Sequence, residues 1–249
     1  RGLLFEGEIA ARKAIALNPQ LSSAWINLGI ILLDIGKYEE SRACLERART
    51  WEPRDPRVLN NLGNVCLHQG DLKGAENFFT EALTNDPQYS HPYINLAKLY
   101  NDIGNFDKAI FFGLRAIEID PAAYDAYINL AAAEKGRGQL LAALRWINVL
   151  LSYQPTNVKG LLKKALILMD NDYISEALDV AESAVQIAPN LADAHYVRGS
   201  VMKRLGRLSE SLDDFAKAAE LPGKAAEDAL CQRAIILGEI GDMDTANNY

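Results

Sequence analysis

The sequence is poor in the residues that usually carry chemistry. Its 249 residues include only three cysteines, three histidines and three methionines. Cys44, Cys66 and Cys231 show neither metal-ligand spacing nor a disulfide framework, which reads as reduced thiols in a cytoplasmic setting. His68, His91 and His195 are too scattered to suggest a metal site. No phosphate-loop, nucleophile-elbow or H-E-x-x-H pattern occurs, and no cofactor is expected. The segment D-N-D at 170–172 resembles a carboxylate metal loop. However, Ser175 stands where the calcium-loop glycine belongs and Ala181 where its terminal Glu belongs. Asp and Asn suit a tight turn without any metal. Long apolar runs are missing as well: I-I-L-L at 30–33 is cut by Asp34, far short of a membrane span. Positive charge is in deficit, 26 Lys and Arg against 33 Asp and Glu, net −7. That balance weighs against nucleic acid as the main partner. The chain opens on Arg1 without a signal sequence, and the expectation is a parent protein extending past both ends.

What the sequence does have is a period. Apolar residues make up 49 %, enough to bury a core. Prolines fall at Pro19, Pro53, Pro87, Pro121, Pro155 and Pro189, each 34 residues after the last. Gly2, Gly36, Gly70, Gly104 and Gly138 keep the same step of 34, and Gly206 resumes it after Asp172 takes one turn. Between these punctuators the apolar spacing is helical. Trp25, Leu28, Gly29 and Leu32 lie at i, i+3, i+4 and i+7; Gly36 ends that helix. Tyr38, Ser41, Leu45 and Ala48 make a second stripe, closed by Pro53. Each unit therefore reads as two antiparallel helices of about 13 residues. A single such pair cannot bury both of its apolar faces. Stacking on neighbours can, so the expected fold is all-α, an α-solenoid of helix hairpins.

The residues at fixed places within the unit resemble the tetratricopeptide repeat family. Its pattern has a large residue at unit position 4, Leu at 7, a small residue at 8, Gly at 15, Ala at 20, a large residue at 24, Ala at 27 and Pro at 32. Leu59, Leu62, Gly63, Gly70, Ala75, Phe79, Ala82 and Pro87 follow it, as do Tyr93, Leu96, Ala97, Gly104, Ala109, Ala116 and Pro121; Gly113 departs from it at position 24. The resemblance implies a right-handed superhelix and one array over residues 1–249. A lone second helix at 1–21 precedes units at 22–55, 56–89, 90–123, 124–157, 158–191 and 192–224, with a partial unit at 225–249. In the partial unit Leu230, Ala234, Leu237, Gly241, Met243 and Ala246 fit the pattern.

In this family the first helices line a concave surface, which positions 2, 5, 6, 9, 12 and 13 face. Position 6 is Asn27, Asn61, Asn95 and Asn129 in four successive units, and then Lys163 and Val197. A carboxamide carries donors and an acceptor, so one asparagine can engage both polar groups of a peptide backbone. Neighbouring first helices about 8–10 Å apart would meet an extended chain at roughly every third residue. The ladder is similar to that of the repeat arm of O-linked N-acetylglucosamine transferases, which implies a grip on extended polypeptide; Asn64 at position 9 joins the candidate set. Asn is common at this place in the family, so a tolerated exposed residue and local helix packing are the competing readings of the same amides. Asn129, Lys159 and Lys163 match three of the five places that clamp a peptide carboxylate in chaperone-binding relatives, but Ile94 and Lys98 replace the other two. Lys98, Lys159 and Lys163 could still form a basic pocket for an acidic group, or a solvated charge set. Ile26, Ile94, Ile128, Leu162 and Tyr196 at position 5, with Ile30 and Met169, would either receive ligand side chains or be covered by adjacent repeats.

The reading for function is a non-catalytic scaffold that binds an extended peptide or partner helix in the groove. Two alternatives differ in class. One is the substrate-recognition arm of a larger, glycosyltransferase-like enzyme. The other is a self-assembling structural platform. Partners are expected to be protein, with neither nucleic acid nor membrane.

Overall fold

A computed structural model describes residues 2–241, and among them the chain forms fourteen α-helices and no strand. Helix α1 spans Gly2–Leu17. It is followed by α2 (Ser22–Asp34), α3 (Tyr38–Trp51), α4 (Pro56–His68), α5 (Leu72–Asn85), α6 (Ser90–Asp102), α7 (Phe106–Ile119), α8 (Tyr124–Gly136), α9 (Leu140–Tyr153), α10 (Val158–Asp170), α11 (Ile174–Ile187), α12 (Ala192–Arg204), α13 (Leu208–Glu220) and α14 (Ala225–Glu239). From α2 onward, even-numbered helices hold the first-helix register and odd-numbered ones the second. Met243 and Ala246, expected to continue the pattern, lie outside the described residues. No helix among the described residues is long and apolar enough to cross a membrane. The helices gather into two compact units, Arg1–Ala133 and Glu134–Tyr249.

The turns inside each hairpin follow from backbone sterics. Gly36, Gly70 and Gly104 sit at φ of 81°, 78° and 75°, a region open to glycine at no steric cost. The next amide then returns to the carbonyl five residues earlier: Lys37 to Leu32 at 2.8 Å, Asp71 to Cys66 at 2.9 Å, Asn105 to Tyr100 at 2.8 Å. This is the glycine-terminated helix end that satisfies orphan carbonyls. In the second unit Asp172 takes the same turn at φ 61°, and Tyr173 donates to Leu168 at 3.0 Å. The turn therefore survives loss of its glycine, because Asp tolerates the left-handed region better than most side chains. Helix starts are capped by Asp71 on the Gly74 amide at 2.8 Å and by Asn157 on that of Gly160, also 2.8 Å.

Small residues set how closely the helices of a pair approach. In the first unit a Cβ on Gly63 would lie 2.5 Å from Phe79 Cε1, and one on Gly29 would lie 2.7 Å from Leu45 Cγ. Ser41 Oγ donates to the Gly29 carbonyl at 2.6 Å, and Ser211 Oγ repeats the bond to Gly199 at 2.8 Å in the second unit. The departure at Gly113 is compensated by Leu130, whose Cδ2 would lie 2.8 Å from an added Cβ. The large residue expected at that place is supplied by the following first helix.

The co-occurrence of proline and a large residue six places on has a direct cause. Trp25 Nε1 donates to the Pro19 carbonyl at 2.9 Å, Tyr93 Oη to Pro87 at 3.3 Å and Tyr127 Oη to Pro121 at 3.1 Å. In the second unit His195 Nε2 meets the Pro189 carbonyl at 2.9 Å. Each contact pins the entry of a first helix to the loop before it.

Candidate functional site

The four ladder asparagines all lie in the first unit, and their environments differ. Asn27 on α2 is exposed, and no hydrogen bond engages its amide among the described residues. Asn61 on α4 is only 9 % exposed, its Nδ2 donating to the Arg57 carbonyl of its own helix at 2.8 Å. Asn95 on α6 donates from Nδ2 to Asn60 Oδ1 at 2.9 Å. Asn129 on α8 donates from Nδ2 to the Ile94 carbonyl at 3.0 Å. In both inter-helix bonds a position-6 amide reaches the position-5 residue of the preceding first helix. The ladder thus ties α4 to α6 and α6 to α8. A carboxamide has two N–H groups and an oxygen with two lone pairs, so one donated bond leaves Asn95 and Asn129 with hydrogen-bonding capacity.

Asn60 and Asn101 belong to this network although the repeat pattern did not single them out. Asn101 Nδ2 donates to the backbone oxygen of Asn129 at 2.9 Å, and its buried Oδ1 has no partner among the described residues. Pairing position 5 of one unit with position 6 of the next would have flagged Asn60. Asn101 has no such signal. Asn64 is half-buried on α4, and Lys98 is exposed on α6.

The position-5 apolar residues are largely packing groups. Ile26 and Ile128 in the first unit and Leu162 in the second are buried, whereas Ile94 and Tyr196 are half-buried. Adjacent helices cover the former, so a ligand could touch only the latter, with Ile30 and Met169, also half-buried.

Lys159 and Lys163 lie in the second unit, exposed on α10 one helical turn apart. Desolvation, followed by repulsion from Lys135 and Lys159, pushes the Lys163 ammonium below the usual lysine range, while Asp193 opposes the shift. Lys135 itself pairs with Asp170 at 2.6 Å. An acidic group arriving beside Lys163 would relieve that repulsion. Val197, the next position-6 residue, is buried.

Other titratable clusters are structural in geometry. Tyr100 is buried, donates to Glu76 and accepts from Lys108 Nζ at 3.0 Å; burial raises its phenol above the ordinary tyrosine value, away from a reactive phenolate. Both ring nitrogens of buried His195 face partners, Asp214 and the Pro189 carbonyl. Cys44 is buried and its thiol raised, chiefly by that burial. No group of three or more His, Cys, Asp or Glu among the described residues could hold a metal.

Tetratricopeptide repeats are identified by family-model matches at residues 26–90 and 90–122. No curated protein matches the sequence. Solved structures share the fold at low identity. A tetratricopeptide repeat protein from Parabacteroides merdae is 20 % identical, with a TM-score of 0.75 over 95 % of this chain and 93 % of its own. A chain of the APC/C hetero-tetramer Cut9–Hcn1 gives a TM-score of 0.76 at 14 % identity, over 93 % of this chain and 46 % of that one. Yeast Tom70 gives 0.72 at 20 % identity, over 92 % and 49 %. At such identities the likeness is one of fold: an all-α helical solenoid.

Proposed function

We propose that this chain is a non-catalytic protein-interaction scaffold whose first-helix face in the first unit receives an extended peptide. The reading rests on the amide row of α2, α4, α6 and α8. The Asn27 side chain makes no hydrogen bond among the described residues, and Asn95 and Asn129 each spend one N–H on a neighbouring helix. The bonds between helices hold those two amides in place before a ligand arrives, which lowers the entropy cost of using their remaining groups. Asn61, buried and bonded within its own helix, contributes least to contact. Backbone recognition of this kind supplies affinity with little sequence preference. Selectivity would come from acidic groups on the partner meeting Lys98 in the first unit or Lys159 and Lys163 in the second.

The test is capture of partners on the immobilised chain, identification by mass spectrometry, and affinity measurement on the resulting peptide by fluorescence anisotropy. Replacing Asn27, Asn61, Asn95 and Asn129 with Ala is expected to weaken binding at least about tenfold, roughly 1.4 kcal/mol, with far-ultraviolet circular dichroism unchanged. Equal affinity in the folded variant would remove the ladder from the mechanism.

A further inference from the structure

Helices α4 and α6, both inside the first unit, carry a single Lys or Arg each, Arg57 and Lys98. Arg57 is committed: its Nη2 lies 2.6 Å from Asp55 Oδ2, and its Nε donates to both carboxylate oxygens at 3.1 Å. Lys98 is exposed and makes no ion pair or side-chain hydrogen bond among the described residues. Asp102, one turn later on α6, is exposed too and does not pair with it. Asn64 on α4 is half-buried, and its carboxamide makes no hydrogen bond among the described residues.

Repeat spacing sets Asn64 and Lys98 beside each other. They hold position 9 on consecutive first helices, 34 residues apart. The bond from Asn95 Nδ2 to Asn60 Oδ1, 2.9 Å, fixes how those helices lie together. Asn64 follows Asn60 by four residues and Lys98 follows Asn95 by three, so both stand one turn beyond that bond. The displacement along the helices is roughly 4.5–6 Å. An extended peptide held by the amide row crosses the helices, so this displacement lies to one side of its backbone. What reaches Asn64 and Lys98 is a side chain.

One ammonium flanked by carboxamide donors suits a monoanion. Lys98 supplies the charge; Asn64 and the second N–H of Asn95 supply hydrogen bonds. Phosphoryl sites gather several cations, arginine above all. Here Arg57 is spent on Asp55, and Asp102 adds a repulsion that grows with the charge of the ligand. We infer that Lys98 and Asn64 form a subsite for a side-chain carboxylate, Asp or Glu, of a peptide bound in the first unit. The subsite rests on the peptide reading above and assigns its acidic selectivity to this unit. It reads one place in the peptide, because successive side chains of an extended chain point to opposite faces.

A positional scan on the full chain tests it. The probe is a fluorescein-labelled chain of Gly, Ser and Ala long enough to span the amide row, with each place in turn made Glu, Gln, Lys or phosphoserine. Affinities are read by fluorescence anisotropy. At one place Glu is expected to bind about five- to tenfold tighter than Gln, between the worth of an exposed ion pair and that of a charged hydrogen bond. Phosphoserine there should bind no tighter than Glu. Lys98→Met should remove most of the Glu gain while affecting the Gln peptide far less, and Asn64→Ala should remove part of it. Lys98→Glu should turn the preference at that place to Lys, a gain that a misfolded chain cannot give. Peptides that bind with no preference for Glu overturn the subsite and leave the amide row standing. So does a Glu gain that survives Lys98→Met, or one that vanishes only in Lys163→Met. Phosphoserine binding several-fold tighter than Glu overturns the carboxylate assignment. If no peptide in the scan binds, the amide row itself is wrong and the subsite falls with it.

Discussion

In the second unit, Nδ1 of His195 lies 3.1 Å from Oδ1 of Asp214, with both side chains buried. Arg198 meets the same carboxylate twice, Nε to Oδ2 at 2.7 Å and Nη2 to Oδ1 at 2.6 Å. One carboxylate thus serves two basic side chains from α12. Removing it strands a guanidinium in a poorly hydrated site. Asp214→Ala is expected to cost about 3–5 kcal/mol. Urea denaturation would show this as a lower midpoint with an unchanged slope.

Gly63 and Gly199 share a place in the repeat but not the same clearance. A Cβ at Gly63 would meet the Phe79 ring at 2.5, 2.7 and 2.9 Å, and one at Gly199 would find its nearest neighbours at 3.2 Å. A buried ring in a packed layer cannot yield by half an ångström without moving its helix. Gly63→Ala is therefore expected to destabilise by roughly 1–3 kcal/mol, and Gly199→Ala by clearly less. Thermal unfolding of the two variants side by side checks the order.

Asp172 sits at φ 61°, where the equivalent turns use glycine. Its ion pair with Arg204, 2.7 Å long, is between exposed side chains and contributes little. Asp172→Gly should raise stability by up to about 1 kcal/mol, the scale of the left-handed penalty for a side chain. A fall in the urea midpoint would show that the ion pair outweighs the backbone.

Lys163 carries a pH signature. Desolvation and then Lys135 and Lys159 hold its ammonium below the ordinary lysine value. A lysine with a lowered folded pKa disfavours folding while it is charged, and that penalty fades as pH rises from the folded pKa to the unfolded value of about 10.4. Lys163→Met is expected to stabilise the chain at pH 7, with the gain shrinking towards pH 10. Urea titrations at the two values test it; a gain that grows with pH would contradict the sign.

The period of 34, the hairpin ends and the all-α class were legible because each rests on local chemistry. Gly36 and Gly70 permit the turn by their own backbone freedom, and Trp25, Leu28 and Leu32 mark a face by helical spacing alone. The ladder was legible as a row of identical residues. What each amide touches was not, since Asn95 to Asn60 and Asn129 to Ile94 span 35 residues and depend on how two helices lie together. The buried state of Ile26, Ile128 and Leu162 was open for the same reason: position 5 lies at the border between groove and neighbour, and a few degrees of helix rotation decide its side.

By itself the sequence determined where helices start, turn and stop, since those outcomes depend on φ preferences, caps and a 3.6-residue periodicity within about fifteen residues. The tertiary structure alone decided which polar groups are already engaged. It left the Asn27 side-chain amide without a hydrogen bond among the described residues while Asn95 and Asn129 are bonded, put Asp214 between His195 and Arg198, and let Leu130 fill the space beside Gly113. Hydrogen bonds and close packing are decided over tenths of an ångström between helices, a scale that repeat spacing does not encode.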